Sequence, residues 1–167
     1  TDRIIAFAES EKILVKPFSS EVETLPVRGN EHVVDLTLSD GRVHKYTTKN
    51  VRAGYTFLLD SEQRPVRLIH ALPSEYFERL AMQNELFGDD VGLESVSKDG
   101  RFHISQPYRD GHPPTREQID RFLATKGFEP ALSQGGDRFF RHKGRNHHWR
   151  CQAPKLERER DGRLDPD

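Results

Sequence analysis

His142, His147, His148 and Cys151 place four possible metal ligands between positions 142 and 151. Imidazole and thiolate are donors that zinc prefers, yet the group lacks the Cys-x-x-Cys pair that accompanies histidines in structural zinc sites. Metal binding is therefore not the chemistry this stretch favours. The same region, 138–150, interleaves Arg138, Arg141, Lys143, Arg145 and Arg150 with Phe139, Phe140 and Trp149 and contains no acid. Such cations can follow a phosphate backbone while the rings stack on bases, so a nucleic acid or an acidic protein is one class of partner. Upstream, Glu78 and Glu85 sit seven positions apart on an apolar-periodic segment, hence on nearly one helix face.

These residues need elements to hold them. Asp2 can cap a first helix with Ile4, Ile5, Phe7 and Ala8 as its buried stripe, ending by Pro17. Residues 18–30 form a Pro- and Gly-containing connection without a clear period. Val34, Leu36 and Leu38 then alternate with polar residues, and Val43–Thr47 resumes extended structure. Asp40-Gly41 between the two runs predicts a hairpin, because both residues tolerate the positive φ of a tight turn. Asp99-Gly100 repeats the device between Leu93–Ser97 and Arg101–Ser105, and a third Asp-Gly-Arg stands at Asp161–Arg163.

Between the hairpins the spacing predicts a helix capped by Ser74, with Tyr76, Phe77, Leu80, Ala81 and Phe87 as its apolar side and Gly88 as its stop. Thr115 caps a further helix whose buried face is Ile119, Phe122 and Leu123, ending at Gly127. From Gln134 onward the periodicity is weak. Helix, hairpin, helix, hairpin, helix is an α+β order: a largely antiparallel sheet with a helix packed on one face.

Composition bounds the function. With 167 residues the chain can bury a core, but 34% hydrophobic and 32% charged residues leave that core modest. A formal net charge of -1 argues against a globally basic nucleic-acid binder. The single Cys151 excludes an internal disulfide and fits a reducing compartment, so the expected address is cytoplasmic. No apolar run approaches the ~18 residues that would cross a bilayer, so no membrane partner is expected. The chain opens on Thr1 within a helical pattern and closes on Leu164–Asp167 without a helix stop. That is the pattern expected of a piece of a longer polypeptide or of an interrupted reading frame.

Several stretches are similar to one known family. Gly29-Asn30-Glu31-His32-Val33-Val34, Gly41–Thr47, the block from Leu80 to Asp90 that ends Phe-Gly-Asp-Asp, Ser105-Gln106-Pro107-Tyr108, and Lys126-Gly127-Phe128 resemble the kinase-like domain of polyvalent proteins carried by phages and mobile elements. The resemblance spans most of residues 4–130. It implies the small lobe of a protein-kinase fold over 1–108, then a post-hinge helix and an incomplete helical lobe over 109–167. It places Lys45 on the third strand, where a lysine meets the α- and β-phosphates of ATP, with Glu85, or alternatively Glu78, as the carboxylate that steadies it. Gln106 and Tyr108 fall at the adenine-binding hinge, and Gly29–His32 would cover the phosphates, although without the G-x-G-x-x-G pattern. Asp167 stands nearest to the magnesium aspartate. The implied cofactors are ATP and Mg.

The resemblance weakens where the chemistry should be. Phosphoryl transfer needs an aspartate to orient the attacking hydroxyl and an asparagine a few residues on for metal. Alignment on Pro154 puts Cys151 and Leu156 there, and neither can take those roles. The expectation is a degenerate kinase-like domain that retains nucleotide binding and lacks an intact catalytic loop. The alternative is a non-catalytic interaction module that uses segment 138–150.

Overall fold

A computed structural model describes residues 2–51, 53–62, 65–111, 114–134, 137–144 and 148–151. The chain forms two compact units: residues 1–56 with 68–110, and residues 57–67 with 111–167.

The first unit opens on helix α1 (Asp2–Ser10), shorter than the pattern to Pro17 suggested. Lys12 takes a positive φ of 59° just beyond it, and the chain turns into strand β1 (Leu14–Val15). Ala8 is fully buried, but Phe7 is half exposed and does not belong to the core-facing stripe. The connection that follows contains a single helical turn, α2 (Ser20–Glu23), and strand β2 (Val27–Arg28).

Strands β3 (His32–Asp35) and β4 (Arg42–Thr47) then complete an antiparallel meander. Their connection is not the two-residue turn expected. It runs over residues 36–41, with Leu38 at φ 52° and Gly41 at φ 74°, and Leu36 is exposed. The buried valine is accordingly Val33 rather than one of the alternating trio Val34, Leu36 and Leu38.

After β5 (Tyr55–Leu59) and β6 (Pro65–His70), which pair with each other, comes α3 (Pro73–Phe87). Pro73 occupies the first helical position, where its missing N–H costs nothing. The N-cap is Leu72, not Ser74, and its N–H donates to Glu75 Oε2 at 2.7 Å. Gly88 ends the helix in the left-handed conformation, its N–H donating to Asn84 O at 2.9 Å. Of the expected apolar side, Tyr76 is buried and Ala81 is exposed; Met82 is buried in its place.

Strands β7 (Gly92–Ser97) and β8 (Phe102–Pro107) form the second hairpin, with Gly100 at φ 81° in the turn. The six-stranded sheet has the order β1-β7-β8-β4-β3-β2. It is antiparallel except at one edge, where β1 runs parallel to β7. The core gathers Ala8 of α1, Tyr76 of α3, Ala53, Val96, Phe102 and Ile104, with Phe77, Leu80 and Leu93 packed against it. Tyr76 stacks on Phe102 with centroids 5.4 Å apart, and Phe77 meets Phe102 edge-on at 4.9 Å.

In the second unit Thr115 caps α4 (Arg116–Thr125) as expected: Gln118 N–H donates to its Oγ1 at 3.3 Å, and Gln118 Oε1 accepts from Thr115 N–H at 2.7 Å. Leu123 is buried and Phe122 half exposed, so the helix buries a narrower face than Ile119, Phe122 and Leu123. Where a helical lobe was expected to begin, β9 (Phe128–Gln134), β10 (Asp137–His142) and β11 (His148–Cys151) form an antiparallel sheet instead. Aromatic residues spaced for a pleated surface account for this, with Phe128 and Phe140 buried. No helix among the described residues is long and apolar enough to cross a membrane.

Candidate functional site

Strand β4 sends alternate side chains to opposite faces of the sheet. Lys45 lies opposite Val34 on one side and Ile104 on the other, so its stem shares the face that α3 covers. Its ammonium donates to Gln106 Oε1 at 2.7 Å, across to β8. Burial pushes the lysine pKa below its ordinary value, opposed by the negative charges of Asp89 and Glu31. Both carboxylates have other partners: Asp89 accepts from Gln83, and Glu31 forms a short ion pair with Arg79 of α3. Lys45 is thus a partly buried cation whose hydrogen-bond acceptor is a neutral amide.

The structure therefore brings two of the sequence-predicted residues, Lys45 and Gln106, into direct contact. It does not bring the helix carboxylates to them. With Tyr76 turned inward, the helical period turns Glu78 and Glu85 outward, and both are exposed. Among the described residues no ion pair joins Lys45 to either glutamate, which corrects the expected lysine–carboxylate brace. Tyr108 lies just past β8, with its backbone N–H on Gly41 O at 3.0 Å and its ring half exposed. Asp167, Leu156 and the turn at Asp161–Arg163 lie outside the described residues. Cys151 ends strand β11, opposite Arg138.

The Gly29–His32 segment is a turn between β2 and β3, closed by Gly29 N–H on His32 O at 2.8 Å. It docks on α3 twice. Glu31 pairs with Arg79, whose other nitrogen donates to Tyr55 O at 3.1 Å, and the His32 ring meets the Tyr76 hydroxyl at 2.9 Å. Burial, with the charges of Lys45 and Arg79, lowers the His32 pKa from 6.5 to about 4, against the opposing effect of Glu31. Burial likewise raises the Tyr76 phenol. Sequence reasoning did not single out Arg79 or Asp89 as site residues. Asp89 had a signal, its place in the Phe-Gly-Asp-Asp block; Arg79 had none, because only the docked turn gives it a partner.

Within the basic stretch, residues 138–142 and 148–150 lie in strands. Two of its cations converge on one acid: Arg141 meets Glu129 at 2.6 Å and Lys143 meets it at 3.9 Å. Among the described residues no group of three or more His, Cys, Asp or Glu side chains is arranged to hold a metal. His147 lies outside those residues. Comparison of the chain with protein-family models, with curated proteins and with solved structures finds no match.

Proposed function

We propose that this chain is a kinase-like domain that holds a nucleoside polyphosphate at Lys45 and does not transfer its phosphoryl group efficiently. The observation that carries the reading is the environment of Lys45. A partly buried cation whose hydrogen bond among the described residues goes to an amide has no direct anionic partner there, and a phosphate oxygen would supply one. The order of elements supports it. Lys45 stands on the third strand of the meander β2-β3-β4; the paired strands β5 and β6 intervene before α3, and two strands then return to complete the sheet, with β8 against β4. In kinases the phosphate-binding lysine is on the third strand. Gln106 sits one residue from the end of β8, where adenine would meet the chain. The second half of the proposal rests on Cys151 and Leu156, which offer neither a carboxylate to orient a hydroxyl nor an amide for metal.

Two measurements test this. Thermal unfolding should shift upward with magnesium and ATP, because a ligand at tenfold its Kd stabilises the folded state by about 1.4 kcal/mol. Lys45→Ala should abolish the shift, whereas Glu85→Gln should preserve it, since Glu85 faces away. No shift at millimolar ATP would remove the nucleotide reading. Label transfer from γ-labelled ATP to protein, lost in Lys45→Ala, would overturn the claim of inactivity.

A further inference from the structure

The face of the sheet opposite Lys45 carries a row of polar side chains that the nucleotide reading does not use. His44 Nε2 contacts Asp40 Oδ2 at 3.0 Å, His44 Nδ1 contacts His103 Nε2 at 2.8 Å, and His103 Nδ1 faces Ser95 Oγ at 3.5 Å. The row runs from the β3–β4 connection across β4 and β8 to β7. Asp40 is fixed at its end, its Oδ1 accepting from Arg42 N–H at 3.0 Å. Tyr46 stacks on His103 with centroids 4.3 Å apart, and Phe18 meets both rings edge-on, so His103 has little freedom to swing away.

Two imidazole nitrogens 2.8 Å apart must hold one proton between them, because two lone pairs or two N–H groups would repel. That constraint couples the tautomers. With both rings neutral, His44 donates Nε2–H to Asp40, its Nδ1 accepts from His103 Nε2–H, and His103 Nδ1 accepts from the Ser95 hydroxyl. When one proton is added, Asp40 favours the charge on His44, which then donates from both nitrogens. His103 must now accept at Nε2 and carry its own proton on Nδ1, donating toward Ser95. The proton enters at one end of the row and every hydrogen bond beyond Asp40 reverses.

We propose that Asp40, His44, His103 and Ser95 form a pH-sensing row in which protonation of His44 switches the tautomer of His103 and the orientation of the Ser95 hydroxyl while His103 stays neutral. The other groups facing the row fit this division. Asp35 of β3 lies opposite His44, and Ser105 of β8 lies opposite it on the other side. Arg42 occupies Ser105 through a 2.7 Å bond from Nε and pairs with Asp90 at 3.0 Å, while Glu94 of β7 accepts from the Ser105 hydroxyl. Arg101 lies over the far ring, Phe18, at 4.9 Å. Burial and then the charge of His44 hold His103 down to about 4, outweighing Glu94, Asp35 and Asp40.

Nitrogen-15 spectra of the imidazole rings in the whole chain, recorded from pH 8 to pH 4, test the proposal. Both His44 nitrogens should move to the protonated position in one step. At the same midpoint the two His103 nitrogens should exchange identities, without moving toward the charged average until the pH nears about 4. His103 charging in the same step as His44, or keeping one tautomer throughout, would overturn it. In His44→Gln, with the backbone spectrum checked for the native fold, the exchange at His103 should vanish. Asp40→Asn should weaken the first proton's binding, and an unchanged midpoint there would contradict the assigned direction of the row.

Discussion

His32 shows how one side chain can make stability depend on pH. Its ring is held against Tyr76 in the neutral form, with its pKa lowered from 6.5 to about 4. Between those values the unfolded chain binds a proton that the folded chain does not, so stability rises with pH across the window. The contribution is complete above the unfolded value and lost as pH falls from about 6.5 toward 4. At full extent it is about 3 kcal/mol. Urea unfolding at pH 7 and pH 5 should show the native chain losing about 2 kcal/mol more than His32→Gln, which keeps a polar partner for Tyr76 without a titratable ring. Equal losses in the two proteins would mean that His32 titrates normally when folded. Arg101 is the other residue whose burial matters. It is 1% exposed and binds Glu23 and Asp99, at 2.5 and 2.9 Å, which ties the β1–β2 connection to the β7–β8 turn. Among side chains this buried, an unpaired charge would be costly, and two carboxylates answer it.

At the scale of elements, the position of α3 depends on a glycine. Gly54 has φ 76°, its N–H donates to Val51 O at 3.0 Å, and its carbonyl accepts from Ala71 N–H at 3.0 Å. A Cβ there would strike the Glu31 carboxylate and approach Tyr76 at 2.9 Å, the residues through which the β2–β3 turn docks on the helix. Gly54→Ala should therefore destabilise the chain by about 2 kcal/mol or more, as read from chemical denaturation, since left-handed strain and a clash act together. The C-terminal end of the helix is fixed differently. Asn84 uses both ends of its amide on the backbone of Val91, accepting from the N–H at 2.7 Å and donating to the carbonyl at 2.8 Å. With both ends of α3 held, Glu78 and Glu85 stay on its outer side.

For the whole molecule, one sheet carries two polar systems on opposite faces, since Lys45 and His44 are neighbours on a pleated strand. The upward shift proposed for ATP should, where it occurs, persist in His44→Gln, and Lys45→Ala should leave the proposed exchange at His103 intact. In a double-mutant cycle on stability, the coupling between the two substitutions should stay below about 0.5 kcal/mol. A larger coupling would mean that the strand transmits strain between the faces. The second unit, with α4 and its three-stranded sheet, uses the basic stretch for strand pairing and for the Arg141 and Lys143 contacts to Glu129, which gives those two cations a structural role.

Local patterns in the sequence were enough for the elements whose signals are short-range. Thr115 announces the start of α4, Gly88 and Gly127 the ends of two helices, and Asp99-Gly100 the second hairpin, because caps and turns depend on residues only a few positions apart. The α+β character followed from their order. Tertiary structure decided what long-range contact decides. Whether α3 is capped by Leu72 or Ser74, and whether it buries Met82 or Ala81, depends on what packs against it. The rotation that turns Glu85 away from Lys45 is set by Tyr76 on Phe102 and by the Glu31–Arg79 pair, between residues distant in the chain. The strands after Phe128 were hidden for the same reason: weak periodicity becomes a sheet only when each strand finds a neighbour, and no window of sequence contains that neighbour. The row from Asp40 to Ser95 is the extreme case, four polar residues on three strands and a turn, aligned only by register.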